Sequence, residues 1–267
     1  MSDSATTTSK INPETGKPVS YTIVVPTIYG QMLVNRHDIN QTGMLLKTGA
    51  AHDAEQIRFA QNLCVGIGRD FIVLDIGANL GVYTLGISQV IADLGGVVHA
   101  FEGQRQLAHL ICGSLALNSI ANAHVHNVCV GNSNNDVDIP KFNYHQPMNF
   151  GSVEFGTTQK EKLQQERLPS TEKVKQVRID DYNFQNVKFL KMDIEGMEIP
   201  ALLGAQKTIT QSRPVALVEY IKSDRPQIEA FFRRQKYVIV PWGTDLLCIP
   251  DEEKPRFADG SLGLKVF

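Results

Sequence analysis

The chain has 267 residues, a length that can bury a sizeable core, and we expect it to form a single domain. Its composition, with 42% hydrophobic and 20% charged residues, is typical of a soluble globular protein. Lysine and arginine total 26 against 28 aspartate and glutamate residues, so the net charge of −2 excludes the strongly basic surface of a non-specific nucleic-acid-binding protein.

The amino-terminal region gives no sign of a membrane-directing segment. Residues 1–20 are rich in serine and threonine and are predicted to form a flexible tail, without the apolar stretch of a signal peptide. No run elsewhere approaches the roughly 18 apolar residues of a membrane span. The four cysteines are widely spaced and form no C-x-x-C pair, which favours reduced thiols and a cytoplasmic protein.

Residues 21–66 are predicted to form a cap in front of the main sheet. Within it, residues 51–64 have the apolar spacing of an amphipathic helix. The preceding polar residues Arg36, His37 and Asp38 are candidates for the wall of a ligand pocket, with a solvated loop as the alternative.

Residues 71–81, FIVLDIGANLG, carry the strongest local pattern in the chain. The continuous apolar run predicts a strand buried on both faces of a parallel sheet. Gly77 and Gly81 then allow a sharp turn that lies close to a ligand, and residues 82–92 predict a helix whose first amides face that turn. A small-molecule site at the carboxyl end of the strand is expected.

The spacing of this turn narrows the choice of ligand. A dinucleotide fingerprint requires glycine at three positions, which are occupied here by Gly77, Asn79 and Val82, and no Gly-Lys-Ser/Thr follows as in a P-loop. A second predicted strand, residues 97–101, ends at Glu102, where such folds place a carboxylate that accepts hydrogen bonds from ribose hydroxyls. Asp75, the glycine turn and Glu102 therefore predict a site for S-adenosylmethionine (SAM).

The middle of the chain is harder to interpret. A third predicted strand, residues 125–130, ends at Gly131. Residues 140–176 are predicted to be an insertion, and its second half, rich in lysine, glutamate and glutamine, is expected to form a surface helix or lid. His145, in the irregular sequence YHQPMN, is a candidate base near the pocket mouth.

The last part predicts two further buried strands and a terminal hairpin. The strand at residues 187–192 is followed by the sequence DIEG and a helix over residues 200–209, and the strand at residues 214–218 ends at Glu219. A hairpin at residues 237–249 closes the sheet with one antiparallel strand. We therefore expect an α/β fold with a doubly wound, mostly parallel sheet.

Carboxylates follow four of these predicted strands, at Asp75, Glu102, Asp193 with Glu195, and Glu219. In a doubly wound sheet they would open into one crevice. Asp193 and Glu195 could bind a divalent cation or accept a proton from a substrate hydroxyl; the alternative is that they only cap the next helix.

Several sequence motifs of this chain resemble those of the FkbM-type family of SAM-dependent methyltransferases. They are DIGANLG at residues 75–81, FEG at 101–103, VRIDD at 177–181, KMDIEGMEIPALLGA at 191–205 and LVEY at 217–220. The resemblance implies a seven-stranded, Rossmann-like class I methyltransferase fold, SAM as methyl donor and, usually, O-methylation of a hydroxyl on a sugar, glycan or secondary metabolite. The implied methyltransferase domain spans residues 67–250 and leaves residues 251–267 as a carboxyl-terminal tail.

The residue patterns and the resemblance together suggest roles for individual positions. The candidate cofactor-binding residues are Asp75, Gly77, Ala78, Asn79, Gly81, Glu102, Gly131 and Asp193. The candidate catalytic residues are Asp193, Glu195 and His145. No firm metal site is predicted, although Asp193, Glu195 and Glu219 are candidate ligands for a divalent cation. Asn149 and Ser152 partly match the family's Asn/Gly/Ser stretch, too weakly to identify the acceptor.

Other functions remain open from the sequence. The chain could bind SAM or a nucleoside without catalysis, as a regulatory protein, or it could methylate nitrogen on another small molecule. A nucleic-acid methyltransferase is disfavoured because DIEG occupies the position where base-amine enzymes commonly carry an N-P-P-Y-type tetrapeptide. We thus expect a small-molecule or glycan acceptor and no nucleic-acid partner.

Overall fold

The computed structural model describes residues 11–17, 19–155, 159–258, 260 and 262. The strands are β1 (Thr22–Thr27), β2 (Gly30–Asn35), β3 (Ile72–Ile76), β4 (Val97–Phe101), β5 (Ala123–His126), β6 (Cys129–Val130), β7 (Asp136–Pro140), β8 (Thr171–Val177), β9 (Val187–Met192), β10 (Val215–Glu219), β11 (Tyr237–Trp242) and β12 (Asp245–Pro250). The α-helices are α1 (Gln41–Thr48), α2 (Ala54–Val65), α3 (Val82–Ile91), α4 (Arg105–Leu117), α5 (Glu198–Gly204), α6 (Gln206–Ser212) and α7 (Arg225–Arg234).

Seven strands form the main sheet, in the order β11-β12-β10-β9-β3-β4-β5. The pairs from β10 to β5 are parallel, and β12 runs antiparallel to both of its neighbours. The predicted fold class, a mostly parallel seven-stranded sheet with one antiparallel strand, is therefore confirmed. Because β3 and β9 are adjacent, the Gly77 turn and the DIEG sequence emerge side by side.

Both faces of the sheet are covered, which explains why its central strands read as unbroken apolar runs. Val73 packs into the core shared with α2, α3 and α4, whereas the next residue, Leu74, packs into the core shared with α5, α6 and α7. Alternate side chains thus enter opposite hydrophobic cores, as strand geometry requires.

The cap consists of the β1–β2 hairpin with α1 and α2, and it is joined to the insertion. The carbonyl of His37 accepts a hydrogen bond from Met148 N at 3.0 Å, and Ile39 N donates to the carbonyl of Met148 at 3.1 Å. Asp38 is buried and accepts from Thr42 N at 2.6 Å and from Phe150 N at 3.4 Å. Cap and insertion therefore form a continuous wall beside the sheet.

The insertion differs from the predicted surface helix. A three-stranded sheet, β6-β8-β7, occupies part of it, and residues 171–177 form a strand. Residues 171–175 of this strand pair with β7 and residues 176–177 pair with β6, so that hydrogen bonds between strands satisfy backbone groups that a helix would have satisfied internally. The predicted third strand is also split, because β5 belongs to the main sheet and β6 pairs with β8.

The structure describes only part of the two predicted tails at the chain ends, so it does not test their boundaries. Residues 1–10 and 18 of the predicted amino-terminal tail, and residues 259, 261 and 263–267 of the predicted carboxyl-terminal tail, lie outside the described residues. Within the described part, Asp251–Phe257 forms a 3-10 helix whose Phe257 is fully buried, with its ring 6.1 Å from that of Phe59.

Candidate active site

The turn after β3 is packed directly against the end of β9. Gly77 has a φ of +87°, and a Cβ at this position would overlap the carbonyl oxygen of Asp193. Asp193 N donates a hydrogen bond to the carbonyl of Ile76 at 2.9 Å. Only glycine fits this left-handed, crowded position, so the turn and the DIEG sequence form one unit.

Glu102, at the end of β4, is fixed to the same turn. Its carboxylate accepts hydrogen bonds from Asn79 N at 2.8 Å and from Gln104 N at 2.7 Å. Burial raises the pKa of Glu102 to about 7, although the two backbone hydrogen bonds act in the opposite direction. The result is a buried carboxylate, 6% exposed, that is held in one orientation and titrates near neutral pH.

A cavity of about 310 Å³ opens at these strand ends. The main sheet supplies its floor, the cap supplies Asn40, Gln41, His52 and Asp53, and the insertion supplies a further wall. The wall residues from the insertion are Asn149, Gly151, Ser152, Val153, Phe155 and Glu161.

The lining beside Glu102 is apolar. Phe155 and Cys129 lie against Gly103 so closely that a Cβ there would contact both side chains. Val128 and Val130 continue this surface. The cavity therefore combines a fixed carboxylate with an apolar wall, an arrangement that suits a nucleoside.

Charged side chains gather where β9 and β10 end. Lys191 Nζ lies 2.7 Å from Asp245 Oδ1 and 3.7 Å from Asp193 Oδ2, and Lys222 Nζ lies 2.5 Å from Glu195 Oε2. Burial, together with the charge of Asp193, raises the pKa of Glu195 to about 8, and the ion pair with Lys222 only partly opposes this shift.

Glu219 completes this group of carboxylates. Burial raises its pKa to about 9, with further contributions from the charges of Asp193 and Glu195. Three carboxyl groups thus crowd one end of the cavity, and they cannot all ionise freely.

Comparisons with known proteins place this geometry in a family. A family model described as the methyltransferase FkbM domain matches residues 75–239, more than half of the chain. The chain belongs to the FkbM methyltransferase family. This match also includes the glycine turn, Glu102 and the DIEG sequence.

The FkbM domain is also similar to several solved structures. A methyltransferase FkbM from Methylobacillus flagellatus is 21% identical, with a TM-score of 0.46 over 67% of this chain. This chain covers only 43% of that protein. A precorrin-6y C5,15-methyltransferase from Geobacter metallireducens is 8% identical, with a TM-score of 0.43 over 74% of this chain and 86% of that one.

A SAM-dependent methyltransferase from Agrobacterium tumefaciens is 9% identical, with a TM-score of 0.43 over 87% of this chain and 69% of that one. No curated protein matches the sequence. The family assignment therefore rests on the domain match.

The predicted site residues of the FkbM domain fall into two groups. Those that line the cavity are Gly77, Asn79, Glu102, Asp193, Glu195 and Glu219. Those that do not line it are Asp75, Ala78, Gly81, Gly131 and His145. Their roles in binding or catalysis stay predictions.

The residues behind the lining support it. Asp75 is buried and accepts a hydrogen bond from Thr84 Oγ1 at 2.5 Å, which ties β3 to α3. Gly131 packs against α5, because a Cβ on Gly204 would overlap its carbonyl oxygen.

His145 lies in the FkbM domain's insertion, where it faces the start of the cap. Its ring packs edge-on against Tyr21 at 5.1 Å, and its backbone N–H donates to Asn143 Oδ1 at 3.0 Å. The adjacent turn buries Met148 completely and leaves His145 next to the cap hairpin. The placement does not support the predicted role of His145 as a base in the cavity.

The sequence named Asp193, Glu195 and Glu219 as candidate ligands for a divalent cation without predicting a firm metal site. In the described part of the FkbM domain, no group of three or more histidine, cysteine, aspartate or glutamate side chains is arranged to hold a metal ion. Asp193 and Glu195 face the ammonium groups of Lys191 and Lys222 instead, which already supply positive charge at this end of the cavity. In the same described ranges, no helix has the length and apolar character needed to cross a membrane.

Some residues that organise the FkbM site escaped the sequence analysis. Glu198, in the first turn of α5, is 1% exposed and accepts hydrogen bonds from Ile194 N at 3.0 Å and Gly196 N at 3.1 Å. Glu198 therefore holds the loop between β9 and α5, whereas no side chain of the described residues caps the first turn of α5. Its position in the first turn of a helix was the available signal.

Proposed function

We propose that this protein is a SAM-dependent methyltransferase that methylates a hydroxyl group of a small molecule, either a sugar or glycan or a secondary metabolite. The observation that carries the proposal is the convergence of the Gly77 turn, Glu102 and Asp193 on one cavity of an FkbM domain. A cofactor site and a proton acceptor thereby share one space of about 310 Å³.

The residues present fit the cofactor. Glu102 offers a fixed carboxylate to ribose hydroxyls, and Val128, Cys129 and Phe155 offer an apolar surface to the adenine. Asn149 lines the same cavity, and its buried Oδ1 has no hydrogen-bond partner among the described residues. An unpaired buried acceptor is costly, so its place in the cavity wall supports a ligand that donates to it.

SAM, when bound, supplies a methyl group that is attached to a positively charged sulfur. After the transfer, this sulfur is part of a neutral thioether. An alcohol acceptor must also lose its proton, and Asp193 is the carboxylate best placed to take it. Its main chain is anchored to β3, and its side chain projects into the cavity beside Lys191. Glu195 is less available because Lys222 holds it in an ion pair at 2.5 Å.

Calorimetric titration with S-adenosylhomocysteine (SAH), with NAD and ATP as controls, tests the cofactor. We expect binding of SAH in the micromolar range and none of the controls, because the turn lacks both the dinucleotide and the P-loop glycine patterns. The absence of SAH binding to a folded protein would overturn the proposal.

The Asp193→Asn variant tests the proton acceptor. We expect the transfer of isotopically labelled methyl groups to hydroxyl acceptors to fall by about two to four orders of magnitude, while the Kd for SAH changes little. Asp251→Asn, at an exposed position where the carboxylate pairs with Lys254, is the matched control and should retain full activity. Full activity of Asp193→Asn would remove Asp193 from the mechanism, and SAH binding without transfer to any acceptor would favour a regulatory protein.

A further inference from the structure

Lys191 is a buried ammonium group that faces the cavity. The residue is 4% exposed and contributes to the cavity lining. It is the next-to-last residue of strand β9, two positions before Asp193. A lysine ammonium has three N–H donors, yet among the described residues its only hydrogen bond is the one to Asp245 Oδ1, at 2.7 Å. A buried charge with unused donors indicates that a further partner enters the cavity.

The rest of its surroundings hold Lys191 in place. Asp245 also accepts a hydrogen bond from Gln56 Nε2 at 3.0 Å, and Gln56 Oε1 accepts one from Tyr83 OH at 3.0 Å. The ring of Tyr83 lies 5.6 Å from Lys191 Nζ. Residues from α2, α3 and β12 thus orient the ammonium group before any ligand arrives.

Lys191 remains protonated in this environment. Burial alone would lower its pKa, but the charges of Asp193 and Asp245, together with the hydrogen bond to Asp245, outweigh burial and raise the pKa well above its ordinary value. Lys191 can therefore donate hydrogen bonds and offset negative charge, and it cannot serve as a general base.

The separation between Lys191 Nζ and Asp193 Oδ2 is 3.7 Å, too long for a direct hydrogen bond. One oxygen atom can, however, lie within hydrogen-bond distance of both groups. We propose that Lys191 is a catalytic residue that, together with Asp193, binds the acceptor hydroxyl through hydrogen bonds. The hydroxyl oxygen accepts from Lys191 and its O–H donates to Asp193.

This inference rests on the proposed function and specifies its acceptor. The O–H proton would pass to the Asp193 carboxylate, and Lys191 would keep its own proton. The electron pair left on the oxygen would form the new bond to the methyl carbon, while the methyl–sulfur bond breaks and its electron pair stays on the sulfur. The ammonium group offsets the negative charge that develops on that oxygen. A protonated amine cannot accept from Lys191, so the pair selects a neutral hydroxyl over an ammonium group.

The Lys191→Gln/Asp245→Asn double variant tests the role of Lys191 without leaving a buried unpaired charge. We expect methyl transfer to hydroxyl acceptors to fall by about a hundredfold or more, the typical effect of losing one donor that stabilises developing charge. The Kd for SAH should change less than about threefold. Lys188→Gln is the matched control, because Lys188 lies on the same strand and does not line the cavity.

Nuclear magnetic resonance of ¹⁵N-labelled lysine ammonium groups gives a second readout in the SAH-bound wild-type protein. The Lys191 signal is assigned by its loss in the double variant. We expect 2-propanol to shift this signal and isopropylammonium, which has the same shape, to leave it unchanged. This measurement requires no turnover.

The outcomes separate the inference from the proposed function. Transfer by the double variant at a rate close to that of the wild type, or a Lys191 signal that does not respond to 2-propanol, would overturn the role of Lys191. Failure of the wild type to bind SAH or to methylate any hydroxyl would overturn the proposed function. If SAH does not bind, the same two probes are added to the protein without SAH, and the response of Lys191 still decides whether the pair binds a hydroxyl.

Discussion

At the scale of single residues, burial and neighbouring groups together decide the charge that each carboxylate of the cavity carries. Burial raises the pKa of both Glu102 and Glu219; two backbone hydrogen bonds limit the pKa of Glu102 to about 7, whereas the charges of Asp193 and Glu195 help to raise that of Glu219 to about 9. All of these groups are glutamate or aspartate in the sequence, and only their surroundings distinguish them.

The Glu102 carboxylate predicts a pH dependence of cofactor binding. With a pKa of about 7, it is mostly ionised at pH 8 and mostly neutral at pH 6, and only the ionised form accepts hydrogen bonds with both oxygens. SAH binding should therefore tighten as the pH rises through 7, by about tenfold from pH 6 to pH 8. Calorimetry across this range measures the effect.

The Glu102→Gln variant provides the control. It cannot titrate, so its SAH affinity should be independent of pH over the same range, and at pH 8 it should be weaker than the wild type by about 1–3 kcal/mol. An unchanged pH dependence in this variant would assign the titration to another group.

At the scale of secondary-structure elements, the site depends on the contact between the turn after β3 and the end of β9. Each element is recognisable in the sequence by its apolar run, but the contact involves a backbone carbonyl and an absent side chain. This explains why glycine is needed at position 77.

The Gly77→Ala variant tests this contact. Its Cβ would overlap the carbonyl oxygen of Asp193 in a backbone conformation that already disfavours alanine, so we expect a loss of more than about 2 kcal/mol in the free energy of unfolding and loss of SAH binding. Urea unfolding and calorimetry measure the two effects.

Gly49→Ala is the matched control for that variant. Gly49 also has a positive φ, +71°, but nothing lies within 4 Å of a Cβ there. It should lose only about 1 kcal/mol and bind SAH normally. Equal effects of the two substitutions would show that backbone strain, and not the contact with Asp193, explains the requirement for glycine.

At the scale of the whole molecule, the cavity requires three regions that are distant in the sequence. The main sheet supplies the carboxylates, the cap supplies polar residues such as Asp53, and the insertion supplies Asn149 and Phe155. Cap and insertion meet at Met148, whose side chain is fully buried and whose backbone bonds to His37 and Ile39.

The Met148→Ala variant tests the importance of this junction. We expect it to lower the free energy of unfolding by about 2–5 kcal/mol and to weaken SAH binding, because the emptied space loosens the wall that carries Asn149. Leu168→Ala, in the same insertion but 43% exposed, should cost less than about 1 kcal/mol. Similar losses for both variants would argue against a structural junction at Met148.

The sequence by itself determined the sheet and its cofactor end. The apolar run before Asp75, the glycine turn and the apolar run before Asp193 are local patterns, and parallel strands bring their carboxyl ends to one edge whatever else the chain does. The mostly parallel, seven-stranded sheet with one antiparallel strand was predicted from the same runs and from the family resemblance, whereas the order of its strands comes from the structure.

Only the tertiary structure decided which polar groups face one another. Lys191 reads as one lysine in an apolar strand, and its pairing with Asp245, 54 positions later, depends on the antiparallel return of β12. Likewise, His145 looked like a base because it sits in a polar segment, but the burial of Met148 turned that segment toward the cap. Contacts between distant parts of the chain leave no periodic pattern in the sequence. The sequence therefore predicts where the site lies, and the folded structure determines which polar groups meet there.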